Sequence, residues 1–277
     1  MGVFGRSWEL VKESWGVLRK DKEIMLLPVI SGIVTILLLI SFLIPGYYIY
    51  SQTGQFSVYL AALFFIYYFV SYFFIVFFNS AIVACAHIRL NGGDPKVRDG
   101  LRYASKHVGK IFLWSLISAT VGIVLRLISE RSNMLGKVVA WIIGLLWSLL
   151  TFFVIPVIIF EDKGVISSIK RSGQLFRKAY GEEIVGHFSI GLIFFGLALL
   201  GLIPLFIAFL LKSILFMFAA GIFFVVYVLV LGIISSSLGG IFVAALYSYA
   251  STGNVPSSFK PETVKNAFRT KSTAHEI

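Results

Sequence analysis

The chain has 277 residues, of which 58% are hydrophobic and only 13% are charged. A water-soluble domain carries about a quarter charged residues, so this composition excludes an ordinary soluble globule. The net charge of +11 is typical of proteins that bind a polyanion. Because the basic residues flank apolar segments, the membrane surface is favoured over nucleic acid as the partner. The single cysteine, Cys85, excludes an intramolecular disulfide and a multi-cysteine metal site.

Six apolar segments follow one another along the chain. Residues 24–88 contain no Asp, Glu, Lys or Arg, which predicts two spans joined by a short turn. At about 1.5 Å per residue, even the shortest segment nearly crosses a hydrocarbon core of about 30 Å. The predicted fold class is therefore an all-α polytopic membrane bundle of six transmembrane helices, in a single membrane domain over residues 1–277. The predicted spans are residues 24–44, 58–88, 111–128, 138–160, 184–211 and 215–249.

The basic residues predict the orientation of the chain. Nearly all of the 24 Lys and Arg residues lie in the N-terminal segment, the loops after the second and fourth spans, and the tail. The exceptions are Arg126, Arg131, Lys137 and Lys212. Since cytoplasmic loops are enriched in Lys and Arg, we predict a multi-pass protein of the plasma membrane with both termini in the cytoplasm. Arg126 lies near a span end, where its long side chain can reach the headgroups.

Three segments have the pattern of amphipathic helices. Apolar residues recur every three or four positions in residues 4–18, 97–108 and 166–180, with basic residues between them. This pattern is typical of helices that lie at the membrane–water boundary. Their predicted contacts with the headgroups of anionic lipids are Lys12, Arg19, Lys20, Arg98, Arg102, Lys106, Lys170, Arg171, Arg177 and Lys178.

Each amphipathic segment precedes a pair of spans, which suggests three repeats of one interfacial helix and one transmembrane hairpin. The units cover about residues 1–90, 95–160 and 163–250, and a cytoplasmic tail follows over residues 251–277. Local matches favour this interpretation, because residues 14–20 align with 172–178 and residues 84–94 align with 244–254 without a gap. The alternative is that interfacial helices before a span resemble one another without a repeat.

Two stretches carry a resemblance to a known family. They are Pro156-Val-Ile-Ile-Phe-Glu161-Asp162-Lys-Gly164 through Ser168-Ile-Lys-Arg171-Ser172, and Tyr247-Ser-Tyr249-Ala-Ser-Thr-Gly253-Asn-Val-Pro256. Nearly the whole chain resembles a prokaryotic six-span membrane family of unknown function. The first stretch is also similar, more distantly, to the membrane domain attached to some bacterial glycerophosphodiester phosphodiesterases, which is not their catalytic part. The resemblance implies a membrane location and a helical fold, and it transfers no reaction and no functional residue.

No catalytic pattern stands out in the sequence. No ionisable residue lies deep in a predicted span, which disfavours a transporter that relies on a membrane carboxylate. Cys85 and His87 are two positions apart and do not share a helical face. Neither a glycine-rich phosphate loop nor a Gly-x-Ser-x-Gly elbow is present. We therefore expect no enzyme activity, no metal and no cofactor. A metal site would require an unknown fold to bring together Asp94, Asp99, His107, Glu161 and Asp162.

The sixth span holds an unusual run of small and hydroxylated residues. The candidate cluster is Pro204 in the fifth span with Ser235, Ser236, Ser237, Gly239 and Gly240 in the sixth. The pattern indicates either close helix packing or a broken helix whose free carbonyl groups line a pore or substrate site. The aromatic-rich residues 64–78 of the second span favour a lipid-facing or packing surface.

Two functions remain open on these grounds. The first is a non-enzymatic organiser, in which the basic helices bind anionic membrane lipids and the spans recruit a partner. The second is a channel or uncoupled transporter for ions or small solutes, built around Pro204 and residues 235–240. Either function is compatible with a homo-oligomer or a membrane partner protein, and neither involves nucleic acid.

Overall fold

The structure, a computed structural model, describes residues 3–55, 57–180, 186–256 and 259, with side chains left out for residues 3–10, 178–180, 186–190 and 192. All regular structure in this part of the chain is helical. A 3₁₀ turn at Lys22–Met25 leads into the second helix. The α-helices are α1 (Val3–Lys20), α2 (Leu26–Thr53), α3 (Val58–Leu90), α4 (Val97–Lys106), α5 (Val108–Arg131), α6 (Met134–Leu150), α7 (Val154–Phe160), α8 (Val165–Tyr180), α9 (Gly186–Leu200), α10 (Ile203–Leu210) and α11 (Ile214–Thr252).

Six stretches of the described chain are long and apolar enough to cross a membrane. Each overlaps one predicted span, so the predicted all-α polytopic bundle of six transmembrane helices is confirmed. The helices extend beyond most of the predicted ends, because polar residues continue a helix into the headgroup region. The observed stretches are Lys22–Thr53, Val58–Leu90, Val108–Arg131, Met134–Phe160, Ile193–Leu210 and Ile214–Thr252.

Two of the spans are interrupted near a proline. The regular helix of the fourth span is interrupted at residues 151–153, between α6 and α7, just before Pro156. Proline has no N–H group to donate to the carbonyl four residues earlier, so the regular helix ends at this point. The fifth span breaks at Gly201 and Leu202, and Pro204 occupies the first turn of α10. The fifth span is therefore built from two helices, α9 and α10.

Glycines end two of the long helices. Gly54 follows α2 with φ +64° and Gly253 follows α11 with φ +79°. Both lie in the left-handed region that side chains disfavour, and each N–H donates to the carbonyl four residues back. These turns fix where the two spans leave the membrane.

The hydrophobic core lies toward one end of the bundle. It joins residues 81–86 of α3, residues 241–246 of α11 and most of α7, and the C-terminal half of α1 packs onto it. By contrast, α2, α10 and the first half of α11 expose large apolar side chains along their length. Exposed apolar surface of this extent is typical of a protein that meets lipid.

The helix ends at the core side meet the three helices that precede the hairpins. Arg89 at the end of α3 donates to the Lys20 carbonyl of α1, and Val97 at the start of α4 donates to Glu23. Lys110 at the start of α5 bonds Asp162 after α7. We call this end, comprising α1, α4, α8 and the adjoining helix ends, the basic end.

Candidate functional site

The candidate cluster in the sixth span lies within an unbroken helix. α11 runs continuously from Ile214 to Thr252, so the broken-helix interpretation of residues 235–240 is wrong. The Ser237 side chain is fully buried, and its hydroxyl donates to the Ile233 carbonyl at 2.9 Å. A Cβ atom on Gly240 would collide with the Ile82 side chain of α3. The absence of a side chain at Gly240 thus permits close packing between α3 and α11.

The remaining members of that cluster do not converge. Ser235, Ser236 and Gly239 are half-buried, and a Cβ on Gly239 would meet nothing within 4 Å. The break before Pro204 faces Tyr227 instead, whose hydroxyl donates to the Leu197 carbonyl at 2.8 Å. Tyr227 precedes Ser235 on α11 by about 12 Å at 1.5 Å per residue, so the serines and the kink are separate features.

The two stretches that carried the family resemblance meet at the basic end. The Glu161 carboxylate, after α7, accepts hydrogen bonds from Arg171 Nε of α8 at 3.1 Å and from the Tyr247 hydroxyl of α11 at 3.2 Å. Lys163 adds an ion pair to the same carboxylate at 2.5 Å. We call Glu161, Lys163, Arg171 and Tyr247 the Glu161 cluster. It joins α7, α8 and α11 through one largely buried carboxylate.

The electrostatics of Glu161 follow from these contacts. Burial alone would raise the pKa of Glu161, but the hydrogen bonds from Lys163 and Arg171 outweigh it and lower the pKa below its usual value. The carboxylate is therefore ionised and acts as an acceptor for three donors. Such an arrangement stabilises a junction, and every polar group in it has a partner.

Two further polar contacts hold the same junction. The buried Ser172 hydroxyl of α8 accepts a hydrogen bond from the Phe153 N–H at 2.9 Å, within the break between α6 and α7. It replaces the helical partner that Phe153 lacks there. Asp162, at φ +50°, contacts Lys110 at 2.7 Å and His107 at 3.0 Å. The hydrogen bond from Lys110 lowers the pKa of Asp162, so its carboxylate is also ionised.

The other polar residues considered for a metal site are divided among separate contacts. Asp99 accepts from the Lys96 N–H at 3.0 Å as an N-terminal cap of α4, and Asp94 pairs with Arg89 at 3.4 Å. Asp21 is 5% exposed, and its Oδ2 has no hydrogen-bond partner. Within the described ranges, no three His, Cys, Asp or Glu side chains come together as metal ligands.

Most of the predicted headgroup contacts are exposed at the basic end. Arg171 differs, because its guanidinium is half-buried and bound to Glu161. The side chain of Lys178 lies outside the described residues, as does the tail after residue 259. The exposed set, for which the described residues show no ion pair, is Lys12, Arg19, Lys20, Arg98, Arg102, Lys106, Lys170 and Arg177.

A large groove opens within the membrane-spanning region. Its volume is about 1190 Å³, and it lies between α3, α5, α6 and the fifth and sixth spans. Aromatic and aliphatic side chains dominate the lining, including Trp114 and Trp147, whose rings stack with centroids 6.0 Å apart. No charged residue is among the described residues that line it. We call this space the intramembrane groove.

The polar residues of the intramembrane groove fall into two groups. Tyr72 and Ser118 share a hydrogen bond of 2.9 Å, and Thr151 donates to the Trp147 carbonyl at 2.7 Å. Asn79 of α3 and Ser148 of α6 are exposed to the groove. Neither forms a hydrogen bond to any described residue through its side chain.

The intramembrane groove was not predicted from the sequence. The predicted sites inside the membrane rested on ionisable residues and on the small and hydroxylated residues of the sixth span, and Asn79 and Ser148 belong to neither group. A signal was present, because an Asn side chain in an otherwise apolar span needs partners for two donors and an acceptor. The groove itself depends on which faces of α3, α5 and α6 converge.

Comparison with known proteins gives one result. The model of a family of unknown function, designated DUF6159, matches residues 57–257. This agrees with the predicted resemblance to a family of unknown function. No curated protein matches the chain, and the more distant resemblance to the membrane domain of the phosphodiesterases stays a prediction. Since the match covers well over half of its length, the chain belongs to the DUF6159 family of unknown function.

Proposed function

We propose that this multi-pass protein is a non-enzymatic membrane organiser that binds anionic lipids at its basic end. The observation that carries the proposal is the set of eight exposed basic side chains on α1, α4 and α8, none of which forms an ion pair with another described side chain. Unpaired cations at a membrane surface attract anionic headgroups by about 1 kcal/mol each, and several together make a substantial site.

The surroundings of these cations support an interfacial position. Trp15, Tyr103 and Ile166 are exposed on α1, α4 and α8, beside the basic side chains. Aromatic rings with a polar edge are enriched at the membrane–water boundary, and an exposed aliphatic side chain gains by entering it. Lys106 also lies over the Tyr103 ring, 5.8 Å from its centroid. Exposed cations and apolar side chains thus lie together on each of the three helices, which supports the proposed interfacial position.

The opposite end of the bundle offers a poorer anionic-lipid site. Only four basic residues belong there by sequence, and Arg126 is paired with Glu130 at 2.7 Å. By the positive-inside rule, this asymmetry orients the basic end toward the cytoplasm, in agreement with the proposed plasma-membrane topology.

The proposal is tested by lipid enrichment. Protein in nanodiscs of phosphatidylcholine with a minor fraction of phosphatidylglycerol is expected to retain phosphatidylglycerol through mild detergent extraction, as measured by mass spectrometry of bound lipid. A variant with Gln at Arg98, Arg102, Lys106, Lys170 and Arg177 is expected to retain at least tenfold less, since five attractions of about 1 kcal/mol are weakened.

A matched variant provides the control. Gln at Arg126, Arg131, Lys137 and Lys212 removes nearly as many charges from the opposite end and is expected to leave the enrichment unchanged. Equal enrichment in both variants and the wild type would contradict the proposal, provided that circular dichroism shows both variants to be folded.

The channel or uncoupled transporter predicted as the alternative has no separate structural support at its proposed cluster. α11 is continuous there, and Gly240 packs against Ile82. Measurable flux of solutes or ions from proteoliposomes that contain the protein would support this alternative.

A further inference from the structure

We propose that the intramembrane groove is a binding site for an uncharged lipid alcohol, of the chemical class of a diacylglycerol. The site differs from the anionic-lipid surface in its residues, its depth and the charge of its ligand. It goes beyond the proposed function and does not depend on it.

The capacity of the groove is the first argument. Its volume of about 1190 Å³ exceeds the range of about 300 to 1,000 Å³ that is usual for sites of drug-sized ligands. Small residues leave this space open: Gly122 and Gly144 line it, and a Cβ on either would make only ordinary contacts, at 3.6 Å to Tyr68 and 3.7 Å to Leu125. A hydrocarbon chain is the natural filling for a space with aromatic and aliphatic walls.

The charge of the lining is the second argument. The described lining residues include no Asp, Glu, Lys, Arg or His. A phosphate or ammonium group placed there would lose its hydration without gaining a counter-charge, at a cost of several kcal/mol. The groove therefore selects an uncharged head, and anionic phospholipids are excluded from it.

The unpaired polar side chains are the third argument. The Asn79 amide offers two donors and an acceptor, and the Ser148 hydroxyl offers one donor and an acceptor site. Asn79 lies about 16 Å along the helix axis from the end of α3, inside a hydrocarbon core about 30 Å thick. A polar side chain at this depth is unfavourable without a hydrogen-bond partner. The hydroxyl and ester carbonyl groups of a lipid alcohol supply both kinds of partner.

The positions of the polar and apolar lining residues along the groove suit an amphiphilic ligand. Asn79, Trp114 and Ser148 lie toward the basic end of their helices, and Tyr68 and Leu125 lie toward the other. An uncharged head can hydrogen-bond in the first region while its chains extend into the second. Lipid alcohols without phosphate have no charge to hold them at the headgroup level, so a site of this depth suits them.

The test uses a photoactivatable diacylglycerol with a diazirine in one acyl chain, added to the full-length protein in phosphatidylcholine nanodiscs. Cross-linked peptides are expected from the faces of α3, α5 and α6 that line the groove. Unlabelled dioleoylglycerol is expected to compete with the probe, and dioleoyl phosphatidic acid, which differs by a phosphate, is not.

Two variants address the site itself. Asn79→Leu removes the unpaired amide with little change in volume, and Ser148→Phe fills the groove. Each is expected to lower specific labelling about tenfold, the effect of losing one good hydrogen bond or the space for the ligand. The matched controls, Thr120→Val on α5 and Leu146→Phe on α6, change exposed side chains outside the groove and should label like the wild type.

Labelling that is spread evenly over lipid-facing positions, equal in Asn79→Leu and wild type, or absent altogether would overturn the proposal. Equal competition by phosphatidic acid would overturn its charge selectivity. The anionic-lipid proposal fails separately, because Asn79→Leu is expected to retain phosphatidylglycerol enrichment and the basic-end variant to retain diacylglycerol labelling.

Discussion

The Glu161 cluster and the intramembrane groove use polar side chains in opposite ways. In the cluster, the Glu161 carboxylate accepts hydrogen bonds from Lys163, Arg171 and Tyr247, so each of these side chains has a partner inside the protein. In the groove, Asn79 is exposed and forms no side-chain hydrogen bond to a described residue. The charged groups of the cluster lie outside the membrane-spanning segments, where they are partly buried and neutralise one another. The groove lies at a depth where an unpaired group costs most.

This contrast separates a structural role from a binding role. Polar groups that satisfy one another hold helices together and offer little to a ligand. Polar groups without a hydrogen-bond partner inside the membrane are unfavourable, and a bound ligand can supply the missing hydrogen bonds. All four residues of the Glu161 cluster lie in the two stretches that carried the sequence resemblance, so part of that resemblance falls on residues that join helices of the bundle.

The largest expected effect comes from removing the shared carboxylate. Glu161→Leu leaves Arg171 and Lys163 without their counter-charge at a junction of three helices, which costs about 2 kcal/mol for a partly buried site. We expect a clearly lower midpoint of thermal unfolding in detergent. Glu130→Leu, which breaks the exposed pair with Arg126, is the control and should leave the midpoint unchanged. A similar loss in both variants would show that the cluster has no special structural role.

A smaller effect is expected from acidification. Because the pKa of Glu161 is lowered in the folded protein, the folded state binds its proton less readily than the unfolded state. Its stabilising contribution is therefore present at neutral pH and is lost as the pH falls below 4.5, the ordinary pKa of a glutamate, and through the lowered pKa of the folded state. Glu161→Gln should lose less stability than the wild type on acidification, as measured by unfolding midpoints from pH 7 to pH 3.

Asp21 is expected to act in the opposite direction. Burial raises the pKa of Asp21, and this effect is opposed by the charge of Arg89 and reinforced by that of Asp94. Its folded state holds the proton more readily, so its contribution is present at low pH and is lost as the pH rises through the folded pKa. In the same titration, Asp21→Asn should therefore gain stability relative to the wild type as the pH rises. Parallel curves for the two variants and the wild type would contradict both assignments.

The sequence predicted the fold well because each span can be recognised from its own residues, independently of the other spans. Each span is a continuous apolar run, and the length of residues 24–88 without charge is sufficient to place the first two. The break before Pro156 was not predicted, although the proline was noticed, because the Ser172 contact that accommodates it comes from a helix distant in sequence. The threefold repeat and the amphipathic role of α1, α4 and α8 stay predictions.

The candidate site was less accessible to sequence analysis. Small residues in α11 indicated either packing or a break, and the continuity of α11 and the position of Ile82 against Gly240 distinguish the two. The intramembrane groove arises from three helices whose relative rotation is set by packing elsewhere. Asn79 was the one local signal for it, since a strongly polar side chain in an apolar span requires an explanation.

The most direct test of this account compares the thermal unfolding midpoints of Ser172→Ala and Asn79→Leu in delipidated protein in one detergent. Ser172→Ala leaves the buried Phe153 N–H unpaired, at a cost of about 1–3 kcal/mol, and should lower the midpoint by several degrees. Asn79→Leu removes an amide that has no partner and should leave the midpoint unchanged or raise it. A midpoint for Asn79→Leu as low as that of Ser172→Ala would show that the amide supports the fold, and would contradict the division between structural and binding polar groups.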